Sequence, residues 1–390
     1  MRGNYRESGD SDQISAQLIY KHGGWTQLMA TCSSFTVRRE TLPVRREQVD
    51  LNIRVMGGVR VVVVGAGVVG FSTAVCIAEN LPHVSVTLLG EKFSPETTSD
   101  GAAGILFANH NPDVPVEQQR RWFKSSFDHL RLIAQSEDAP EAGVMLSSGW
   151  QIFRDVPEDK TPYWSDLVLG FRIMTEREMV RFPEHRFGQA FTTIKCECSR
   201  YLPWLEKRFR RAGGQVDQRR VDNLQDLSGS FDVIVNCSGL GSRSLAADVS
   251  VQPVRGQVLN MEAPWLQHFI RDGDGLTYIY PGMQGVTVGG TRQGGDWNLR
   301  VEDNDTRGIL KRCSSLEPSL ARARILSSWV GLRPGRRTPR VEVEREVEVK
   351  KGGRSVTVVH NYGHGGGRGD PRLGDGDGGA GAREEEPPGT

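Results

Sequence analysis

Arg60-Val61-Val62-Val63-Val64-Gly65-Ala66-Gly67-Val68-Val69-Gly70 is the stretch whose reading decides the fold of this chain. The β-branched, continuously apolar run suits a strand buried on both faces. It passes directly into Gly-x-Gly-x-x-Gly, and Phe71-Ser72-Thr73-Ala74-Val75-Cys76-Ile77-Ala78 then reads as a helix. Strand, glycine turn and helix form the phosphate-binding corner of a dinucleotide-binding unit. Gly65 makes the tight turn, Gly67 lets the backbone approach a pyrophosphate, and Gly70 lets helix and strand pack closely. The helix N-terminus adds free N–H groups and a partial positive charge, with Ala66, Val68 and Val69 completing the phosphate contacts. A second apolar strand, Val84-Ser85-Val86-Thr87-Leu88-Leu89, follows. Glu91, about 20 residues beyond the fingerprint, places a carboxylate where a ribose hydroxyl needs an acceptor, with Lys92 beside it.

Composition sets outer bounds. A chain of 390 residues is too long for one simple core, so two structural domains are expected. A net charge of +1 argues for neither nucleic acid nor an anionic membrane as partner. No apolar run approaches the roughly 20 residues that cross a bilayer. The six cysteines, Cys32, Cys76, Cys196, Cys198, Cys237 and Cys313, follow no zinc spacing and read as reduced structural thiols of an intracellular protein. Nothing in the sequence sets an oligomeric state.

The two ends differ from the middle. Residues 1–55 are polar and basic without a helical or strand period, and read as a disordered or non-native extension; Met56 is the expected start of the folded chain. They lack the apolar region of a secretory signal, and Glu7, Asp10 and Asp12 disfavour a mitochondrial one. Near the other end, Val341 to Val349 and Val356 to Val359 read as two strands around a glycine turn at Gly352-Gly353. Residues 367–390 are Gly, Asp, Arg and Pro with almost no apolar side chain, an expected disordered tail.

Several separate segments carry a family resemblance. Beside the fingerprint stand Thr97-Thr98-Ser99-Asp100 with Ala102-Ala103-Gly104, Gly149-Trp150-Gln151-Ile152-Phe153, and Tyr201-Leu202-Pro203-Trp204-Leu205. Next come Val233-Ile234-Val235-Asn236-Cys237-Ser238-Gly239, Tyr278-Ile279-Tyr280-Pro281-Gly282 and Gly289-Gly290-Thr291-Arg292. Gly331-Leu332-Arg333-Pro334 and His360-Asn361-Tyr362-Gly363-His364-Gly365-Gly366 complete the set. In this order and spacing, residues 56 to 366 resemble the D-amino-acid oxidase family of flavoproteins. The resemblance implies noncovalent FAD, held also by Thr98, Ser99, Gly104, Ile105 and Gly365. It implies an α/β, Rossmann-like FAD-binding domain, discontinuous over 56–110, 190–245 and 325–366. A largely antiparallel β substrate domain, over 111–189 and 246–324, joins it. Three expected strands with glycine turns between Gly256 and Gly290 agree independently with the second domain.

The implied reaction is hydride transfer from a D-amino acid's α-carbon to the flavin, with O2 restoring the flavin and yielding hydrogen peroxide. The imino acid then hydrolyses to a 2-oxo acid and ammonia. The cofactor carries the hard step, so the protein supplies binding, orientation and electrostatics, and no metal site is called for. By resemblance Arg333 grips the substrate α-carboxylate, Tyr278 shares it, and Gly366 adds a backbone contact. A planar guanidinium suits that task because two parallel N–H bonds fix the carboxylate plane. Arg271 and Arg292 match positions where the branch acting on D-aspartate, and on D-glutamate as a further candidate, carries arginine. Arg292 is the expected main reader of a side-chain carboxylate and Arg271 its helper; Tyr280 is expected in the core.

The family pattern continues past Gly366 into a short strand and a final helix, which the tail from Arg368 does not match. Three readings follow: an oxidase of acidic D-amino acids, an oxidase of neutral ones, and an inactive or poorly folding variant that lacks that helix. The family resemblance implies peroxisomes, whereas the ending Pro388-Gly389-Thr390 lacks a Ser-Lys-Leu-like signal, which leaves the cytosol as the alternative.

Overall fold

The computed structural model describes residues 58–347 and 356–365. The expected extension 1–55, the start at Met56, the turn at 352–353, Gly366 and the tail 367–390 lie outside the described residues.

The valine run forms β1 (Val59–Val64), and its side chains alternate between two apolar layers. Val61 and Val63 face the layer holding Phe71, Ile77 and Phe209, whereas Val62 and Val64 face Leu224, Leu227, Ile234 and Val358. That is why the run needs no polar position: neither face of the strand meets water. Helix α1 (Val68–Asn80) returns the chain, with Val68 to Ile77 almost wholly buried, to β2 (Val84–Gly90), which pairs parallel with β1. On the other side β1 pairs parallel with β7 (Val233–Asn236), and β7 with β15 (Val356–Tyr362). β6 (Gln215–Gln218) extends the sheet parallel to β2, and β14 (Arg340–Val347) closes the other edge antiparallel to β15. The order is β14-β15-β7-β1-β2-β6.

The second sheet has nine strands. β3 (Val144–Phe153), β4 (Leu169–Ile173) and β5 (Phe187–Cys196) join β8 (Gln252–Glu262), β9 (Phe269–Asp272), β10 (Tyr278–Pro281), β11 (Val286–Gly289), β12 (Gln293–Gly294) and β13 (Arg324–Gly335). Among the described residues, β3 and β9 are its one parallel pair. An apolar layer of Ile152, Leu259, Met261, Ile279, Val288 and Ile309 lies beneath it. The helix 116–134, here α2 (Val116–Ala134), packs Phe123, Phe127 and Leu130 into the main core. Further along the chain, the long helix α3 (Cys198–Arg211) adds Leu202, Leu205 and Phe209 to it.

Two of the expected boundaries fall inside strands of the second sheet. The division at 190 cuts β5, which pairs with β3 from Phe187↔Phe153 to Cys196↔Val144. The division at 325 puts β13 with the cofactor sheet, whereas it pairs along β8 from Arg324↔Glu262 to Gly335↔Gln252. Buried strands of either sheet share one composition, so sequence alone does not say which sheet a strand joins. The five described cysteines, Cys76, Cys196, Cys198, Cys237 and Cys313, are buried.

His129 on α2 is buried 3.4 Å from the Tyr201 hydroxyl. Burial, helped by the Arg208 charge, pushes its pKa down to about 3. The unfolded chain therefore takes up a proton near pH 6.5 that the folded protein refuses until about pH 3. Stability from this site is complete above the unfolded value and falls with pH through that window, by about 1.4 kcal/mol per pH unit. The expected outcome is that His129→Gln shows a shallower loss of melting temperature between pH 6.5 and 4 than the parent protein. Parallel slopes would remove His129 from the acid limb.

Candidate cofactor and substrate site

A cavity of about 690 Å³ opens where the parallel strands end. Its floor is the chain just past β1 (Gly65–Val69), β2 (Glu91, Lys92), β7 (Cys237–Gly241) and β15 (Gly363–Gly365). In an open α/β sheet ligands bind at the carboxyl ends of strands, where neighbours lead to opposite sides; here that point lies between β1 and β7. The second sheet supplies the opposite wall through Arg271, Tyr278, Tyr280, Thr291 and Arg333.

The glycine corner is tight. Gly65 has φ +115°, a conformation closed to ordinary side chains, and its N–H donates to Leu89 O at 2.8 Å. A Cβ on Gly70 would lie 1.7 Å from Gly65 O, so α1 touches the turn with nothing between them. Gly70 therefore sits behind the cavity, while Gly65, Ala66, Gly67, Val68 and Val69 line it. The N-terminus of α1 has no side-chain cap at Gly67, and Val68 N–H donates to Ser99 Oγ at 3.1 Å. A hydroxyl already accepts there, where a phosphate oxygen fits the same donors and the helix dipole. Glu91 and Lys92 are exposed at the far rim, with Glu91 3.5 Å from Arg220. Thr98 Oγ1 donates to Leu332 O at 3.3 Å. Gly104 and Ile105 form part of the wall, and Gly365 N–H donates to Pro334 O at 2.9 Å.

At the other end, β-sheet register converges the polar side chains. Tyr278 on β10 stands opposite Arg271 on β9 and Gly289 on β11. Directly opposed residues share a face, so Tyr278 and Arg271 point the same way. Gly289 and Gly290 leave room for the phenol: a Cβ on Gly289 would lie 2.4 Å from the Tyr278 hydroxyl. The rings of Tyr278 and Tyr280 stack at 4.5 Å, so Tyr280 is buried as expected and also backs the site. Burial raises the Tyr278 pKa against the opposing pull of Arg333, so the hydroxyl keeps its proton near neutrality and can serve as a donor. Arg333 Nη1 donates to Thr291 O at 3.2 Å, and its guanidinium rests on Gly256, where a Cβ would lie 2.2 Å away.

The other two arginines differ. Arg271 is 6% exposed, with its guanidinium 3.8 Å above the Phe107 ring and Nη2 3.4 Å from Asn109 Oδ1. Arg292 is exposed where it meets the cavity. The arginine expected to help is thus the desolvated one, and the expected main reader stands at the rim. Sequence inspection missed Phe107 and Asn109, which follow the quoted Ala-Ala-Gly segment without a motif of their own. It also singled out no side chain in His360–Gly366, yet Asn361 Nδ2 is buried without a partner and Asn361 lines the cavity. His364 Nε2 lies 2.9 Å from Asn361 Oδ1. An orphaned buried donor, a helix N-terminus without an N-cap side chain and a bare glycine corner around one long cavity fit a dinucleotide cofactor. Among the described residues no group of His, Cys, Asp and Glu is placed to hold a metal.

Comparison with known proteins agrees with this geometry. Residues 60–369 match the family model DAO, described as FAD dependent oxidoreductase. The chain is 56% identical over 312 residues to D-aspartate oxidase of Homo sapiens, covering 80% of this chain and 91% of that protein. It is 36% identical over 313 residues to a D-amino acid oxidase of Dugesia ryukyuensis, covering 78% and 92%. Among solved structures, glycine oxidase from Geobacillus kaustophilus superposes with a TM-score of 0.60 at 20% identity, over 78% of this chain and 89% of that one.

The contact between Gly256 and Arg333 yields a separable effect. In Gly256→Ala the added methyl meets the movable end of a side chain, so the melting temperature should shift by only a few degrees. Displacing the guanidinium should nevertheless weaken binding of a small dicarboxylate such as malonate at least tenfold, about 1.4 kcal/mol or more. Calorimetric titration of both proteins checks this; unchanged affinity would show that Arg333 holds no carboxylate.

Proposed function

We propose, from the premise that the chain belongs to the DAO family of FAD-dependent oxidoreductases, that it oxidises acidic D-amino acids, with D-aspartate as the leading substrate. Enzymes of this family act on small amino-acid substrates with O2, so the question left to the site is which side chain it accepts. The observation that carries the reading is the presence of three guanidiniums, Arg271, Arg292 and Arg333, around one Tyr278 hydroxyl in a single cavity. One carboxylate needs one of them. Arg271 keeps a second cation desolvated at 6% exposure, which is costly unless the ligand brings a second negative charge.

When bound, FAD supplies the two-electron acceptor that O2 returns to its oxidised form. The glycine corner and the α1 N-terminus are proposed to hold its pyrophosphate, and Glu91 with Lys92 the ribose end. Arg333 and Tyr278 hold the α-carboxylate, the first by two parallel N–H bonds and the second by its retained proton. Fixing that plane fixes the direction of the substrate Cα–H bond, which is the main thing the protein must supply. Arg271 and Arg292 take the side-chain carboxylate, Arg271 from a rigid seat over Phe107 and Arg292 from the rim. The similarity to D-aspartate oxidase of Homo sapiens supports the same assignment.

The deciding experiment compares substrates. Arg292→Ala and Arg271→Ala should each lower kcat/KM for D-aspartate by about 1.5–3 kcal/mol, roughly ten- to a hundredfold, and change D-alanine turnover little. The larger loss is expected for Arg271, whose charge is the more desolvated. Equal losses on both substrates would mean neither arginine reads the side chain.

Arg333→Lys should be nearly as damaging as Arg333→Ala, because an ammonium cannot present a planar fork. Retention of most activity by the lysine variant, measured as peroxide release, would exclude two-point clamping.

A further inference from the structure

The loop from Ala103 to Leu106 forms part of the cofactor cavity and is laid along β5. Cys196 N–H donates to Gly104 O at 2.8 Å and Leu106 N–H to Ile194 O at 2.9 Å. The Thr193 hydroxyl donates to Leu106 O at 2.5 Å. One carbonyl of the loop is held differently: Ala103 O accepts from Lys195 Nζ at 2.5 Å. Lys195 is 2% exposed. Burial lowers its pKa, with Glu197 pulling the other way. A lysine this buried is expensive to keep, and neither the corner motif nor the arginine cluster uses it.

A second, smaller cavity of about 220 Å³ explains how the amine is tolerated. Lys195 lines it together with Asp100, Glu197, Asn260 and Thr287, and does not line the first. That space is polar and large enough for water to meet the remaining N–H bonds. Ala103 and Gly104, in contrast, line the first cavity. Lys195 therefore draws Ala103 O away from the cofactor cavity. In a trans peptide the C=O and the following N–H point in opposite directions, so the Gly104 N–H turns toward the cavity. No described backbone carbonyl accepts from it. Only glycine fits there: φ is +74°, and a Cβ would lie 2.0 Å from Cys196 O. Phe107, three residues on, lies beneath Arg271, so this wall faces the substrate end of the cavity rather than the phosphate corner.

We propose that Lys195 is a positioning residue for the flavin, holding the Ala103–Gly104 peptide so that Gly104 N–H is aimed as a donor at the flavin ring. The proposal rests on the FAD reading of the cavity. A donor fixed there stabilises negative charge on the reduced ring more than on the oxidised one. It should therefore favour reduction as well as binding.

The test uses the full chain with Lys195→Met, which keeps length and removes the donor, and Lys195→Leu, which also carries no donor, in case the first does not fold. Three quantities are read for each protein: the FAD dissociation constant, the reduction potential of bound FAD, and the melting temperature of the apoprotein. The expected result is at least tenfold weaker FAD binding. The two-electron equilibrium should also shift tenfold toward the oxidised flavin, about 30 mV. The apoprotein should melt at the same temperature or higher, since a buried amine has been removed. A dissociation constant and potential within twofold of the parent would overturn the proposal. So would weaker binding with an unchanged potential and a matching fall in apoprotein melting, which would assign Lys195 to packing alone. If the parent protein itself took up no FAD, the cofactor reading would fall, and this proposal with it.

Discussion

The contact of Gly70 with the Gly65 carbonyl is the constraint from which the rest of the site follows. Because no side-chain atom stands between helix and turn, α1 begins immediately above the end of β1, and its N-terminus opens onto the sheet edge. The parallel neighbours β2, β7 and β15 run in the same direction as β1, so their ends arrive at that edge too. One local close approach thus turns four strand ends into a single long floor. A methyl group at position 70 would move the helix dipole away from the place where a pyrophosphate needs it.

The opposite wall is organised by charge rather than by packing. Tyr278, Arg271 and Arg333 come from β10, β9 and β13, with Arg292 in the segment after β11, and register alone brings the first two face to face. Burying cations together is unfavourable, and the structure moderates that cost locally. Arg271 lies on an aromatic face, and Arg333 donates to a backbone carbonyl. These are partial satisfactions. A dicarboxylate would complete them, which is the physical content of acidic-substrate preference.

Much of this was legible in the sequence, and the reasons are specific. The valine run and its glycines announce β1, the turn and α1 because a buried parallel strand and a pyrophosphate turn each demand particular residues. Arg271, Tyr278, Arg292 and Arg333 were found by resemblance; as isolated polar residues they carry no periodic signal. What could not be read was sheet membership and burial. β5 and β13 look like strands of either sheet, and only pairing with β3 and β8 decides the matter. Arg271 and Arg292 are alike as letters, yet one is enclosed above Phe107 and the other stands at the rim. Lys195 was invisible for the same reason: nothing in Thr-Ile-Lys-Cys marks that lysine as buried.

The last link is how the two sheets are kept in register with each other, since cofactor and substrate seats lie on different ones. Arg333 belongs to β13 of the substrate sheet, but its neighbours in sequence are fastened to the cofactor side. Leu332 O accepts from Thr98 Oγ1, and Pro334 O accepts from Gly365 N–H just past β15. A Cβ on Gly365 would lie 2.7 Å from Arg333 Cβ, so the two segments touch as closely as backbone allows. The guanidinium proposed to orient the substrate is therefore pinned, one residue away on either side, to walls of the cavity proposed for the cofactor. A relative shift of the sheets large enough to spoil alignment of the Cα–H bond would have to break those hydrogen bonds first. Reaction geometry needs tolerances well under 1 Å, and the hydrogen bonds that tie the neighbours of Arg333 to the cofactor side serve that need directly, without stiffening either domain as a whole.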